Sequence, residues 1–215
     1  MRIPEPEVID PTSVPSLKWG IIGPGGIAEV FVAACQKHTA QKFHAVASRT
    51  PGRAEEFAKK FEIPKTHDSY EALVADSEID AVYIASWQVE HYEHAMLALN
   101  AGKHVLVEKP ITVLPEHAKE IFALAREKGL LAMEAMWTRY LPQSTIIRKL
   151  LASGELGKPQ LFTANFSADN RHIARLWQKG GGSIIYDMGI YPIAMSQQFL
   201  GSPSKITATG TLHEN

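Results

Sequence analysis

The 215-residue sequence is short of three things, and each shortage excludes something. It has a single cysteine, Cys35, so no internal disulfide can form and a reducing compartment suits the chain. It has no apolar run of membrane-spanning length, and residues 1–15 lack the apolar stretch of a secretory signal. It has no excess of charge: 22 basic against 23 acidic residues leave a net −1, which offers no field to nucleic acid or an acidic membrane. The expectation is a cytoplasmic protein with neither a nucleic-acid nor a membrane partner.

What the chain does have is core-forming material. Hydrophobic residues make up 45% of it, ample for one large domain or two small ones. Pro4, Pro6, Pro11 and Pro15 mark residues 1–16 as an extended arm outside the fold. After the arm, five short apolar runs ("LKWGII", "FHAVAS", "AVYIAS", "HVLVE", "LLAMEA") are separated by helical stretches. That alternation predicts an α/β fold, a doubly wound parallel sheet with helices on both faces. In the first helix Ile27, Val30, Phe31, Ala34 and Cys35 fall at helical spacing and predict the buried stripe, with Cys35 as a core thiol and not a nucleophile. Ser69 is placed to cap the helix "SYEALVAD", and Gly102 to end "EHAMLALNAGK". Pro115 and Gly129 bracket the helix "LPEHAKEIFALAREKG".

The alternation stops near Trp137, which places a boundary between residues 17–138 and 139–215. Beyond it the order reads as a helix "PQSTIIRKLLAS", a turn, and a strand "QLFTANFS". A glycine-led helix from "GGGSIIYDMGIY" and a last strand "KITATGTL" follow.

Between the first strand and the first helix lies "GPGGIA", a G-x-G-x-x-A pattern made by Gly23, Gly25 and Ala28. Gly23 allows a tight turn, Gly25 lets backbone N–H groups approach a pyrophosphate at the helix start, and Ala28 permits close helix–strand packing. A plain structural turn is the competing reading, and the βαβ context favours dinucleotide binding, with Gly26 and Ile27 beside the phosphates. The second strand ends in Ser48-Arg49-Thr50, with Arg53 nearby, where a cofactor bearing a free 2′-hydroxyl usually meets an acid. Two guanidinium forks suit a 2′-phosphate, so NADP is expected over NAD, against the alternative of solvated loop arginines.

"AGKHVLVEKP" puts Glu108 and Lys109 at the carboxyl end of a strand, the edge of a parallel sheet where ligands bind. Lys109 also reads as a solvated strand terminator. Asp187 and Tyr191 are four apart and share a helix face, although Pro192 would disturb that helix. Alone, the pair carries no chemistry. No metal-ligating residues are expected.

Taken in order, "GPGGIA", "HVLVEKP" and "GGGSIIYDMGIY" resemble the glucose–fructose oxidoreductase/inositol dehydrogenase/rhizopine-catabolism (Gfo/Idh/MocA) family. "MEAMWTRYLP" and "DMGIYPI" are similar to its dihydrodiol and NADP-dependent aldose dehydrogenase branch. The resemblance covers residues 17–215 and implies an N-terminal Rossmann domain followed by an α+β domain on an open, mainly antiparallel sheet. It implies a catalytic lysine at Lys109, an acidic partner at Asp187 and an acid/base at Tyr191. Where many members read Thr-Pro-Asn this chain reads Ser86-Trp87-Gln88, in the cofactor site the resemblance implies, with Trp87 in place of proline reshaping the nicotinamide side. His91 matches a histidine frequent at the start of the helix before the Glu-Lys-Pro strand. His91 reads equally well as a helix-start residue bonding backbone groups. Trp137 and Arg139 fall at the substrate end, although Trp137 fits a core as well.

The implied reaction is hydride exchange between the cofactor and a sugar or cyclic polyol, with Tyr191 taking the hydroxyl proton, Lys109 favouring its phenolate, and Asp187 holding the lysine or the substrate. A non-catalytic NADP-binding sensor and an interaction fragment are the alternatives from other classes. Only two strands of the implied second sheet are present, so the chain is expected to be part of a longer protein or to associate with copies of itself through that sheet.

Overall fold

The central strands of the sheet are apolar on both sides, and that pattern decides the architecture. A computed structural model describes residues 2–177 and 183–210. Contacts group them into two units, residues 9–135 and residues 1–8 with 136 onward. In the first unit β1 (Lys18–Ile22), β2 (Lys42–Ala47), β3 (Lys65–His67), β4 (Ala81–Ile84), β5 (His104–Val107) and β6 (Ala132–Glu134) alternate with helices. They pair in parallel in the order β3-β2-β1-β4-β5-β6. All four residues of β4 are buried, as a strand covered on both faces requires.

Helices α1 (Gly26–His38) and α2 (Arg53–Phe61) cover one face, where Ala28, Val32, Phe57 and Phe61 meet Ile21, Val46 and Tyr83. On the other, α3 (Tyr70–Ala75), α4 (His91–Asn100) and α5 (Pro115–Glu127) bring Leu73, Leu99 and Ile121 onto Ile22, Val82 and Ile84. Ser69 caps α3, its hydroxyl accepting from Ala72 N at 3.0 Å. Pro115 opens α5, where its missing N–H has no partner to lose.

Three expectations change. The sheet has a sixth strand, β3, whose three polar or half-buried residues give no apolar run to read. The inner face of α1 is Ala28, Phe31, Val32 and Cys35; Ile27 and Val30 are 46% and 65% exposed, because Ala28 must pack against the sheet and so turns the helix by one position. Cys35 is half-buried in that face, and burial pushes its thiol up to about 11. In the second unit neither 160–167 nor the described part of 205–212 forms a strand. Leu161 and Ile206 are 81% and 80% exposed, and among the described residues neither segment has a ladder partner to make it a strand.

The second unit contains α6 (Pro142–Ser153), a π-helical turn Ile185–Gly189, and α7 (Ile190–Leu200). The helix expected from the glycine run begins at 184, and residues 180–182 lie outside the described residues, as do 211 and 212 of the expected last strand. The proline-rich arm is partly tied down: Glu7 N donates to Thr145 Oγ1 at 3.0 Å, and Lys149 Nζ to Glu5 O at 2.9 Å. Among the described residues, no helix is long and apolar enough to cross a membrane.

At the amino-terminal edge of the sheet, Asp76 gathers several donors. Glu78 N reaches one carboxylate oxygen at 2.9 Å, and His67 Nε2 and Lys65 Nζ lie 3.1 and 3.3 Å from the other. The Glu78 backbone bond leads in holding its carboxyl down at about 2, against 3.8 for a free group. A carboxyl held low in the folded state stabilises the fold above its unfolded value and loses that contribution as pH falls. Stability should therefore decline between pH 3.8 and about 2, and Asp76→Ala should lower it at pH 7 and flatten that acid limb. Denaturant midpoints measured across this pH range check both.

Candidate active site

The turn after β1 is set by a steric limit. Gly23 has φ +84°, and a Cβ there would lie 2.6 Å from Ser86 N and 2.8 Å from the Ala85 carbonyl. Only glycine fits, in conformation and in space. Gly25 is the N-cap of α1 with no side-chain cap bond, and a Cβ at Gly25 or Gly26 would meet nothing within 4 Å. The first N–H groups of α1 therefore begin beside open space with no side chain capping them, the arrangement that binds an anion. Ala28 is fully buried behind them, and Ile27 is turned outward.

A cleft opens here, at the carboxyl ends of β1, β2 and β4, and Gly23, Gly25, Ser48, Arg49, Thr50 and Arg53 line it with Tyr70, Ser86, Trp87 and Glu90. Thr50 N donates to Ser48 Oγ at 3.1 Å, shaping the loop after β2. Arg53 Nε donates to Pro24 O at 2.9 Å and fixes that guanidinium to the glycine turn. Arg49 forms an ion pair with Glu90.

Ser86 is the hub of the opposite wall. Its carbonyl faces His91 Nε2 at 3.0 Å, and its hydroxyl faces His94 Nδ1 at 2.8 Å. His91 Nδ1 in turn faces Pro110 O at 2.8 Å, and the ring is 1% exposed. Burial holds the imidazole below its ordinary range although the carbonyls favour the charged form. His91 therefore stands behind the cleft wall, bracing the loops after β4 and β5. Gln88 is buried as well, whereas Trp87 is half-exposed on the cleft.

At the end of β5, Glu108 accepts from Tyr83 Oη at 2.6 Å and from Lys109 N at 3.2 Å. Burial raises the Glu108 carboxyl, and burial with the Glu108 charge raises the Tyr83 phenol. This carboxylate is thus committed to its own strands. The Lys109–Pro110 peptide is cis, and Ile111 N beyond it donates to Glu134 Oε1 at 2.9 Å. These contacts fix the backbone that carries Lys109.

In the second unit Asp187 lies in the π-helical turn and Tyr191 in the first turn of α7, with Pro192 next to it. The helix runs on from residue 184 through the π-helical turn into α7, so Pro192 stands inside it. It comes directly after the turn where Ile190 N already bonds Ile185 O and the regular i→i−4 ladder is interrupted. Trp137 Nε1 donates to Tyr191 Oη at 3.2 Å, and the rings meet edge-on with centroids 6.0 Å apart. Phe166 packs on the tyrosine at 5.4 Å and 84°. The Arg139 carbonyl accepts from Arg148 Nη1 at 3.0 Å. Lys109 belongs to one unit, and Asp187, Tyr191, Trp137 and Arg139 to the other. Tyr83, Glu90, Glu134 and Phe166 were not singled out by the sequence. Tyr83 and Phe166 lie in runs read as strands, Glu134 lies inside "MEAMWTRYLP" with no role given to it, and Glu90 has no motif around it.

Residues 17–136 match the family profile described as "Oxidoreductase family, NAD-binding Rossmann fold", and residues 145–215 match the "GFO/IDH/MocA C-terminal domain". The chain is 38% identical over 205 residues to the trans-1,2-dihydrobenzene-1,2-diol dehydrogenase of Mus musculus, covering 93% of this chain and 61% of that protein. The Danio rerio enzyme of the same name is 37% identical over 201 residues, covering 91% and 60%. The chain thus spans about three-fifths of the curated relatives' length. A 3-ketoreductase from Actinomadura kijaniata, solved in complex with NADP, aligns with TM-score 0.75 and 34% identity over 87% of this chain and 56% of its own.

Gly23→Ala should cost stability and abolish dinucleotide binding together, since the new methyl must displace Ser86. Thermal melts with and without NADPH check this: a lower melting temperature with no ligand-induced rise is the expected outcome.

Proposed function

The chain belongs to the Gfo/Idh/MocA oxidoreductase family, and on that premise we propose that it is an NADP-dependent dehydrogenase acting on the CH–OH group of a sugar or cyclic polyol. The observation that carries the reading is the turn after β1. Gly23 is pressed against Ser86, and the start of α1 is uncapped beside a cleft whose β2 side presents two guanidinium groups. These residues fit a phosphorylated dinucleotide. The α1 N–H groups would take the pyrophosphate, and Arg49 and Arg53 the 2′-phosphate. The names of the relatives support the substrate class: a cyclic vicinal diol for the dehydrogenases, a keto group for the reductase solved with NADP.

When bound, the nicotinamide supplies the hydride acceptor or donor. Tyr191 accepts the substrate hydroxyl proton in oxidation and returns it in reduction. Its oxygen already accepts from the Trp137 indole, a donor only, so the phenolic proton is directed away from that ring. Lys109 contributes an ammonium that favours the phenolate and a donor for the reacting oxygen. Asp187 holds the lysine or a substrate hydroxyl. Convergence of Lys109 with Tyr191 on one site is part of the proposal, as are a cytoplasmic location and association of copies through the second unit.

NADP reduction screened over aldoses and cyclic trans-diols tests the function. A chain that binds NADP and turns over none of them would favour a sensor. Tyr191→Phe should lower turnover by about 100-fold or more with cofactor binding retained; steady-state rates beside NADPH fluorescence titration check it, and unimpaired turnover removes Tyr191 from the mechanism. Arg49→Ala should weaken NADP binding by about tenfold or more and leave NAD nearly unchanged, roughly 1.5–3 kcal/mol for one charge-assisted contact. Equal losses in calorimetric titrations of both cofactors would refute the Arg49 assignment.

A further inference from the structure

Arg49 is not free to meet a phosphate in this structure, because Glu90 already holds it. The two partners differ in mobility of placement. Glu90 closes the short 3-10 turn Gln88–Glu90, its N–H donates to Trp87 O at 2.8 Å, and its side chain is 18% exposed. The Arg49 side chain is 65% exposed on the loop after β2, with Tyr70 beside it. Glu90 is therefore the anchored member and Arg49 the adjustable one. Glu90 is also the one acid among the described residues lining the cleft.

The chemistry of the pair bears on cofactor choice. A dinucleotide-binding sheet that prefers a free ribose 2′-hydroxyl usually offers it a carboxylate at the end of the second strand. Here that strand end offers Ser48, Arg49 and Thr50, and the carboxylate reaches the same guanidinium from the loop after β4. A 2′-phosphate arriving at Arg49 must share the guanidinium with Glu90, and two anions on one cation repel. Withdrawing Arg49 altogether would leave a mostly buried carboxylate unpaired, which is costly. A 2′-hydroxyl meets no such opposition and can donate to the carboxylate.

We infer that Glu90 is a specificity-determining residue that opposes the 2′-phosphate at Arg49, so that the margin between NADP and NAD is set by the Arg49–Glu90 pair and not by Arg49 alone. This rests on the reading above that the cleft takes a nicotinamide dinucleotide. The geometry makes cofactor choice adjustable from an element that carries none of the usual signature for it.

The test is binding, not turnover. Dissociation constants for NADPH, NADH and 2′,5′-ADP are measured by fluorescence titration or calorimetry on the whole chain, for the wild type, Glu90→Gln and Glu90→Asp. Glu90→Gln keeps the side chain's size and its hydrogen-bonding oxygen while removing the charge, and circular dichroism verifies that the fold is kept. It should tighten NADPH and 2′,5′-ADP by about threefold to tenfold and leave NADH unchanged or weaker, raising the NADH/NADPH ratio of dissociation constants. Glu90→Asp, which retains the charge, should leave that ratio near the wild-type value. An unchanged ratio in Glu90→Gln overturns the inference alone. Weaker NADPH binding overturns it too, by making Glu90 a support that aims Arg49 at the phosphate. A wild-type chain that binds neither dinucleotide overturns the functional reading and the inference with it.

Discussion

Between the end of β1 and the loop after β4 there is no room for a Cβ at residue 23, and much of the cleft follows from that contact. Because Gly23 packs on Ser86, the start of α1 and the exit of β4 must keep a fixed separation. Ser86 is held in turn by two histidines of α4, and one of them, His91, reaches on to Pro110. Ile111 then bonds Glu134 at the end of β6. One chain of short contacts thus ties the carboxyl ends of β1, β4, β5 and β6 into a single rim. The rim holds the backbone on both sides of Lys109 and so fixes where that lysine emerges from the sheet.

The buried polar groups follow the same logic. Tyr83 is fully buried in the central strand, and its hydroxyl goes to Glu108, so the carboxylate next to Lys109 is oriented by the sheet itself. At the opposite edge, Lys103 threads its stem inward and donates to the Asp76 and Ile79 carbonyls at 2.8 and 2.7 Å. Such groups are stable inside only because each finds its partners. His91 shows the limit of that demand: each ring nitrogen faces a carbonyl, and the neutral ring that burial favours donates its one N–H to one of the two at a time.

Legibility in the sequence tracked the range of the interaction. The Ser69 cap and the proline start of α5 depend on neighbours in sequence, and the strand–helix alternation and the glycine motif leave local patterns, so these read directly. The inner face of α1 did not, because Ala28 and not the larger Ile27 is the residue pressed to the sheet, and only the packed turn decides that. β3 escaped because three polar residues become a strand solely through pairing with β2. Within the candidate site, the glycines and arginines were visible as a motif. The role of Glu108 was not, since its partner Tyr83 lies 25 residues away inside an apolar run. Nor was the hold of Glu90 on Arg49, which joins two loops that meet only when the sheet forms. Segment 160–167 and the described part of 205–212 are not strands for the converse reason: a β-rich composition is a preference, and among the described residues neither has a partner to form a ladder.

Cys35 carries a consequence of a different kind. As the one cysteine of the 215 residues, half-buried on α1 with its thiol pushed up to about 11 by burial, it is held in the protonated form at neutral pH. Among these 215 residues, maleimides and other soft electrophiles therefore meet a thiol that burial makes slow to react. A cysteine introduced at a chosen surface position would report alone, with no need to remove the natural one and disturb the face it packs. The fold thus comes with a chemically blank background, on which a single fluorophore or spin label beside the cleft would follow ligand entry in the otherwise native chain.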